Sequence, residues 1–131
     1  MKLVNYIDYE LIKNNPKIFV GFSDITNLNA MFYKKSNLLT FYGPMPYVDF
    51  VDEIDEYTEK MFFDTLMGNL SSYKASRLKI YNEGLTKGVL FGGNLSTLAS
   101  LCGVSFIPNQ NFILFVEDWH DPTYKIDRML T

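Results

Sequence analysis

Ser23 stands where a compact apolar run gives way to an amphipathic one, in Val20-Gly21-Phe22-Ser23-Asp24-Ile25-Thr26. A strand that turns sharply into a helix at a serine is the geometry of a nucleophile elbow. The tight turn holds the hydroxyl above the sheet, and the N–H of the next residue, Asp24, points toward a developing oxyanion. Ile25 takes the place of the second glycine in a G-x-S-x-G pattern. On spacing alone the alternative stays open that Ser23 or Asp24 caps the following helix.

Two further segments carry candidate chemistry. Glu117 and Asp118 close an apolar run, Phe112 to Val116. Carboxylates at strand ends line the crevices of open α/β sheets, where they can orient a histidine. The bland reading is a solvated acidic loop in which Asp118 or Asp121 caps the next helix. Gly92-Gly93-Asn94 precedes a second helical pattern, so backbone N–H groups there can approach a carboxylate or phosphate. The segment lacks both the G-x-G-x-x-G spacing and a P-loop lysine, and a tight turn with Asn94 as N-cap is its structural reading. His120 is the single histidine, only three residues beyond Glu117, and reads as an exposed loop residue. Cys102 reads as buried filler, having no basic neighbour to activate it. No Cys/His/Asp cluster has metal-ligand spacing, and no cofactor is expected.

These residues need elements to position them, and the pattern is that of βα units. Residues 9–14 read as the end of a helix stopped by Asn15-Pro16. Strands are expected over 17–22, buried on both faces, and over 38–42. A helix from Ile25 to Lys35 should turn Ile25, Leu28, Met31 and Phe32 inward. Residues 46–55 read as an acidic surface loop, and 56–67 as a helix with Tyr57, Met61, Phe62 and Leu66 inward. Further strands are expected over 77–82, 87–91 and 112–116, with helices over 95–101 and from Pro122 onward. The polar stretch 71–77 reads as an interdomain linker.

Composition limits the function classes. The chain has 131 residues, 12 Lys+Arg against 15 Asp+Glu, and a formal charge of −3. That balance argues against nucleic acid as a partner. No run approaches the ~18 apolar residues of a membrane span. Met1-Lys2-Leu3-Val4-Asn5 lacks the character of a signal peptide, and a lone cysteine suits a reducing cytoplasm.

Taken in order, the motifs resemble the LD-carboxypeptidases (muramoyltetrapeptide carboxypeptidases). The segment from Asn14 to Thr26 resembles their nucleophile segment, and Thr40-Phe41-Tyr42-Gly43-Pro44-Met45 the strand and loop after it. Gly92-Gly93-Asn94-Leu95-Ser96, Leu114-Phe115-Val116-Glu117-Asp118 and Tyr124-Lys125-Ile126-Asp127-Arg128 resemble their second domain. The resemblance implies an α/β fold: residues 1–70 would be part of a Rossmann/flavodoxin-like N-terminal domain, and 78–131 part of a smaller mixed α/β C-terminal domain. It implies a cytoplasmic serine peptidase with a Ser-Glu-His triad, which releases the terminal D-amino acid from an L,D-peptide bond in murein fragments. Ser23 would be the nucleophile, the Asp24 backbone N–H an oxyanion donor, Glu117 the orienting acid, and Gly92, Gly93 and Asn94 substrate-binding residues. A homodimer or oligomer, with no metal, is implied as well. The family's histidine falls beyond the segment matching Arg128-Met129-Leu130, and its other oxyanion donor before Met1. The expectation is therefore an internal fragment (a gene fragment, a shortened polypeptide or one piece of a split protein), with little activity alone and an exposed apolar patch. A microcin-immunity peptidase of the same superfamily and a catalytically dead peptide-binding module are the competing readings.

Overall fold

The computed structural model describes residues 2–51, 54–69, 72, 75 and 78–131. Two compact units emerge, one from Met1–Gly43 with Lys87–Thr131 and one from Pro44–Thr86. Of the expected linker, only residues 72 and 75 are described; the remainder lies outside the described residues.

The first unit is a mixed α/β arrangement with two short parallel sheets. β1 (Val20–Gly21) pairs with β2 (Phe41–Tyr42), and β3 (Val89–Asn94) pairs with β4 (Phe112–Glu117). Helix α1 (Tyr9–Asn14) begins as well as ends here, because the Asp8 carboxylate accepts the Leu11 N–H at 2.9 Å. Helix α2 (Thr26–Ser36) packs against α1, β1, β2, β3 and α5 (Leu95–Ala99). It ends at Asn37, which takes a left-handed φ of 54°, a conformation asparagine tolerates better than most residues.

The buried stripe of α2 differs from the expected one. Thr26, Asn29, Ala30, Met31, Phe32 and Ser36 are buried, whereas Ile25 is 37% exposed. Ile25 belongs to a separate 3-10 turn, Ser23–Ile25, ahead of the helix. Contacts on several sides then favour small and polar residues where backbones approach closely. The core gathers Ala30 of α2, Phe91 of β3, and Leu98 and Leu101 from α5 and just beyond it. Burying each of the larger side chains contributes roughly 1.5–3 kcal/mol.

Several strand expectations are corrected. The run 17–22 yields only Val20–Gly21, and Ile18 is 64% exposed. Its ladder with β2 spans two residue pairs, so the residues before it have no sheet to bury them among the described residues. The 38–42 strand shrinks for the same reason. Residues 78–82 form no strand, leaving Leu78, Ile80 and Tyr81 exposed. β3 starts two residues later than expected and runs through both glycines to Asn94. β4 extends to Glu117, and the last helix, α6, covers Thr123–Leu130. Cys102 is exposed rather than buried, because it lies on the turn after α5. Apolar side chains stay open on the β3–β4 sheet, Leu90 at 64% and Leu114 at 52% among them.

In the second unit a helical turn, α3 (Pro46–Asp49), opens the stretch expected to be loop. Proline at the first helical positions costs no hydrogen bond, and the Met45 N–H reaches the Asp49 carboxylate at 2.6 Å. Helix α4 (Glu56–Leu66) forms close to its expected bounds, capped by Asp55. Met61, Phe62 and Leu66 are half-buried, but Tyr57 is exposed. Phe62 stacks edge-on against Phe50 at 5.6 Å.

Candidate functional site

The carboxyl ends of all four strands carry the residues of interest. In parallel α/β sheets this is the edge where loops gather around a ligand. Ser23 follows β1, Tyr42 ends β2, Asn94 ends β3 and Glu117 ends β4. Asn94 and Glu117 are register partners, which places their side chains on one face of the sheet.

Ser23 adopts a φ of 52°, unusual for any residue with a Cβ and a mark of backbone strain at a sharp turn. The helix-capping alternative finds no support: neither the 3-10 turn nor α2 has a side-chain cap. Asp24 is exposed on the same turn.

Tyr42 joins the nucleophile turn to the acid. Its hydroxyl accepts the Ser23 backbone N–H at 3.1 Å and donates to Glu117 Oε1 at 2.5 Å. The ring is held between Phe22, at 5.1 Å, and Phe115, at 5.5 Å. Burial, reinforced by the hydrogen bond and charge of Glu117, pushes the Tyr42 phenol up to about 12. Thus Ser23 and Glu117, separated in sequence by most of the chain, meet through one side chain. Tyr42 had carried no role in the sequence. The signal was its place at the end of a short strand before Gly43-Pro44, level with the serine turn.

The Gly92-Gly93-Asn94 segment is a close-packed crossing. A Cβ on Gly93 would lie 2.6 Å from Thr26 Oγ1, so the start of α2 rests directly on β3. The Thr26 hydroxyl accepts the Asn94 N–H at 3.0 Å. Asn94 Oδ1 accepts from Thr97 N at 3.0 Å and Thr97 Oγ1 at 2.8 Å, capping α5 as expected. Its amide nitrogen faces Asp118 Oδ1 at 3.4 Å.

Asp118 caps a helix, but not the one expected. Its carboxylate accepts from the Ser96 N–H at 2.9 Å and from the Ser96 hydroxyl, so it serves the first turn of α5. Pro122 heads α6, with no side-chain cap. The hydrogen bond from the Ser96 hydroxyl, with further N–H donors, holds the Asp118 carboxyl below its ordinary value. A depressed folded-state pKa means the carboxylate's stabilising contribution is present above the ordinary carboxylate range. It is lost as pH falls through the lower, folded value. Urea midpoints should therefore drop less on acidification in Asp118→Asn than in the wild type. Equal acid sensitivity of the two proteins would refute the cap.

His120 is exposed, with a φ of 57° and its ring against Trp119 at 4.5 Å. Among the described residues, no group of three or more His, Cys, Asp or Glu side chains is placed to hold a metal ion. No helix among them is long and apolar enough to cross a membrane.

Comparison with known proteins matches the same two segments that build the first unit. Residues 1–43 match the LD-carboxypeptidase N-terminal domain, and residues 87–131 match the LD-carboxypeptidase C-terminal domain. The chain belongs to the LD-carboxypeptidase family. It is 38% identical over 128 residues to a probable murein peptide carboxypeptidase of Bacillus subtilis, covering 95% of this chain and 40% of that protein. It is 32% identical to the microcin C7 self-immunity protein MccF of Escherichia coli, covering 98% of this chain and 46% of that one. Among solved structures, a muramoyltetrapeptide carboxypeptidase from Oxalobacter formigenes superposes with a TM-score of 0.81 at 32% identity, over 98% of this chain and 44% of its own. The chain thus spans less than half the length of these LD-carboxypeptidase and MccF relatives.

Proposed function

We propose that this chain carries the nucleophile and the orienting acid of a cytoplasmic serine carboxypeptidase, which cleaves the L,D-peptide bond to the terminal D-amino acid of murein tetrapeptides during peptidoglycan recycling. The observation that carries this reading is the Tyr42 bridge, which ties the strained Ser23 turn to Glu117. Acyl transfer needs an exposed hydroxyl on a rigid turn, a base, an acid that orients the base, and N–H donors at the carbonyl oxygen. Ser23 Oγ attacks the scissile carbonyl while a histidine takes its proton. The Asp24 N–H donates to the oxyanion. The same histidine then protonates the departing D-amino acid amine, and water releases the acyl group. Glu117 holds that histidine in its productive tautomer and stabilises its charged form. Gly92, Gly93 and Asn94 form the substrate-side wall. The protein acts as a homodimer or oligomer.

His120 is exposed and bonded to neither Ser23 nor Glu117, so the base is not assigned to it. The 131 residues on their own are accordingly expected to turn over little. Incubating them with a murein tetrapeptide should release D-alanine only at trace rates. Robust release, abolished by Ser23→Ala, would overturn the low-activity half of the proposal.

A microcin-immunity activity is the second reading, favoured by the 32% identity to MccF. Where the histidine base is present, the protein should release D-alanine from the tetrapeptide and leave a peptide–nucleotide conjugate intact. The opposite preference would select the second reading.

A further inference from the structure

We infer that Tyr42 is a positioning residue, whose hydroxyl fixes the Ser23 turn and one oxygen of the Glu117 carboxylate relative to each other. The phenol oxygen is used twice, as acceptor from the Ser23 N–H and as donor to Glu117 Oε1. Three consequences follow from that double use. First, the Ser23 N–H is occupied, which leaves the Asp24 N–H as the donor this turn can aim at an oxyanion. Second, Glu117 Oε1 is satisfied from behind, so the other carboxylate oxygen is left to meet a histidine. Third, the left-handed Ser23 backbone is held in place by a bond from a different strand, as a strained turn requires. The ring has little freedom to swing away. Phe22 grips it from the residue next to Ser23, and Phe115 from the strand that ends in Glu117. Charge-assisted, half-buried networks of this kind are stronger than isolated neutral bonds in water and help to fix geometry.

The catalytic consequence rests on the serine-peptidase reading, whereas the physical tie does not. Two sets of measurements separate them. In the protein labelled with ¹³C, the Tyr42 phenol, assigned by through-bond connectivity to its own backbone, should remain largely protonated at pH 11. In Glu117→Gln it should ionise at lower pH, since the negative charge is gone and the bond to the residue at 117 is no longer charge-assisted. Exchange of the Ser23 amide should accelerate at least tenfold in Tyr42→Phe. A Tyr42 phenol that ionises like an ordinary tyrosine, or one indifferent to Glu117→Gln, overturns the tie, and the latter variant decides the matter even where Tyr42→Phe does not fold.

In a hydrolysis assay with the histidine base present, Tyr42→Phe should lower kcat by about ten- to a hundredfold and leave KM within about threefold, the pattern of a misplaced catalytic group. Unchanged kcat would overturn the positioning role. Hydrolysis that survives Ser23→Ala would instead remove the serine-peptidase reading, and the titration would still decide the tie.

Discussion

Ser23→Ala is expected to abolish release of the terminal D-amino acid, lowering kcat by about 10⁴- to 10⁶-fold where the histidine base is present, while the fold is kept. The loss follows from chemistry that no neighbour can replace, since an acyl intermediate needs this oxygen. The retention of structure follows from the geometry. The hydrogen bond at this position runs from the Ser23 backbone to Tyr42, and alanine keeps that N–H. Alanine also keeps the Cβ, so the strain at φ 52° is unchanged. Glycine separates the two contributions. Ser23→Gly should be equally inactive yet more stable by about 1 kcal/mol, because glycine adopts a left-handed φ without steric cost. A stabilised, inactive glycine variant would identify Ser23 as a place where stability is given up for a rigid nucleophile. Hydrolysis within tenfold of wild type in either variant would refute the nucleophile assignment.

What the sequence revealed and what it hid divide along physical lines. The serine turn, the Asn94 cap and the terminal carboxylate of β4 were legible because each depends on local backbone chemistry, whereas the glycine pair, read as a turn, lies inside the β3–β4 ladder. α4 was legible almost to the residue, since Asp55 and Gly68 mark its ends. Strand lengths were not. A run such as Lys17 to Phe22 shows that a segment favours extension, but only the partner decides how much of it becomes ladder. The buried face of α2 was misread for a related reason. Periodicity finds the apolar side of a helix with one neighbour, whereas α2 touches several elements and places Thr26 and Asn29 inward. Tyr42 escaped because its role lies in two contacts, one 19 and the other 75 residues away in sequence. Asp118 was misassigned because the helix next in sequence was the natural choice, and the helix it caps precedes it by more than twenty residues.

Gly92→Ala should be the most destabilising single methyl addition in the first unit, costing at least about 3 kcal/mol and taking the site with it. A Cβ at this position would stand 1.7 Å from the Phe115 carbonyl oxygen and 2.7 Å from its carbonyl carbon. Both are backbone atoms, so no side-chain rotation relieves the overlap. Gly92 and Phe115 are register partners in the β3–β4 ladder. Making room therefore means parting the strands immediately before Asn94 and Glu117. The φ of 156° adds a backbone conformation that alanine rarely adopts. Disruption should thus reach past stability to the Tyr42–Glu117 bond, two residues further along β4. Gly84→Ala provides the contrast, for its added Cβ meets nothing within 4 Å. It should change stability by no more than about 0.5 kcal/mol. Urea unfolding of the two variants measures the difference directly. A Gly92→Ala midpoint close to that of Gly84→Ala would mean that β3 and β4 are not held in this register, and the placement of Glu117 beside Asn94 would fall with it.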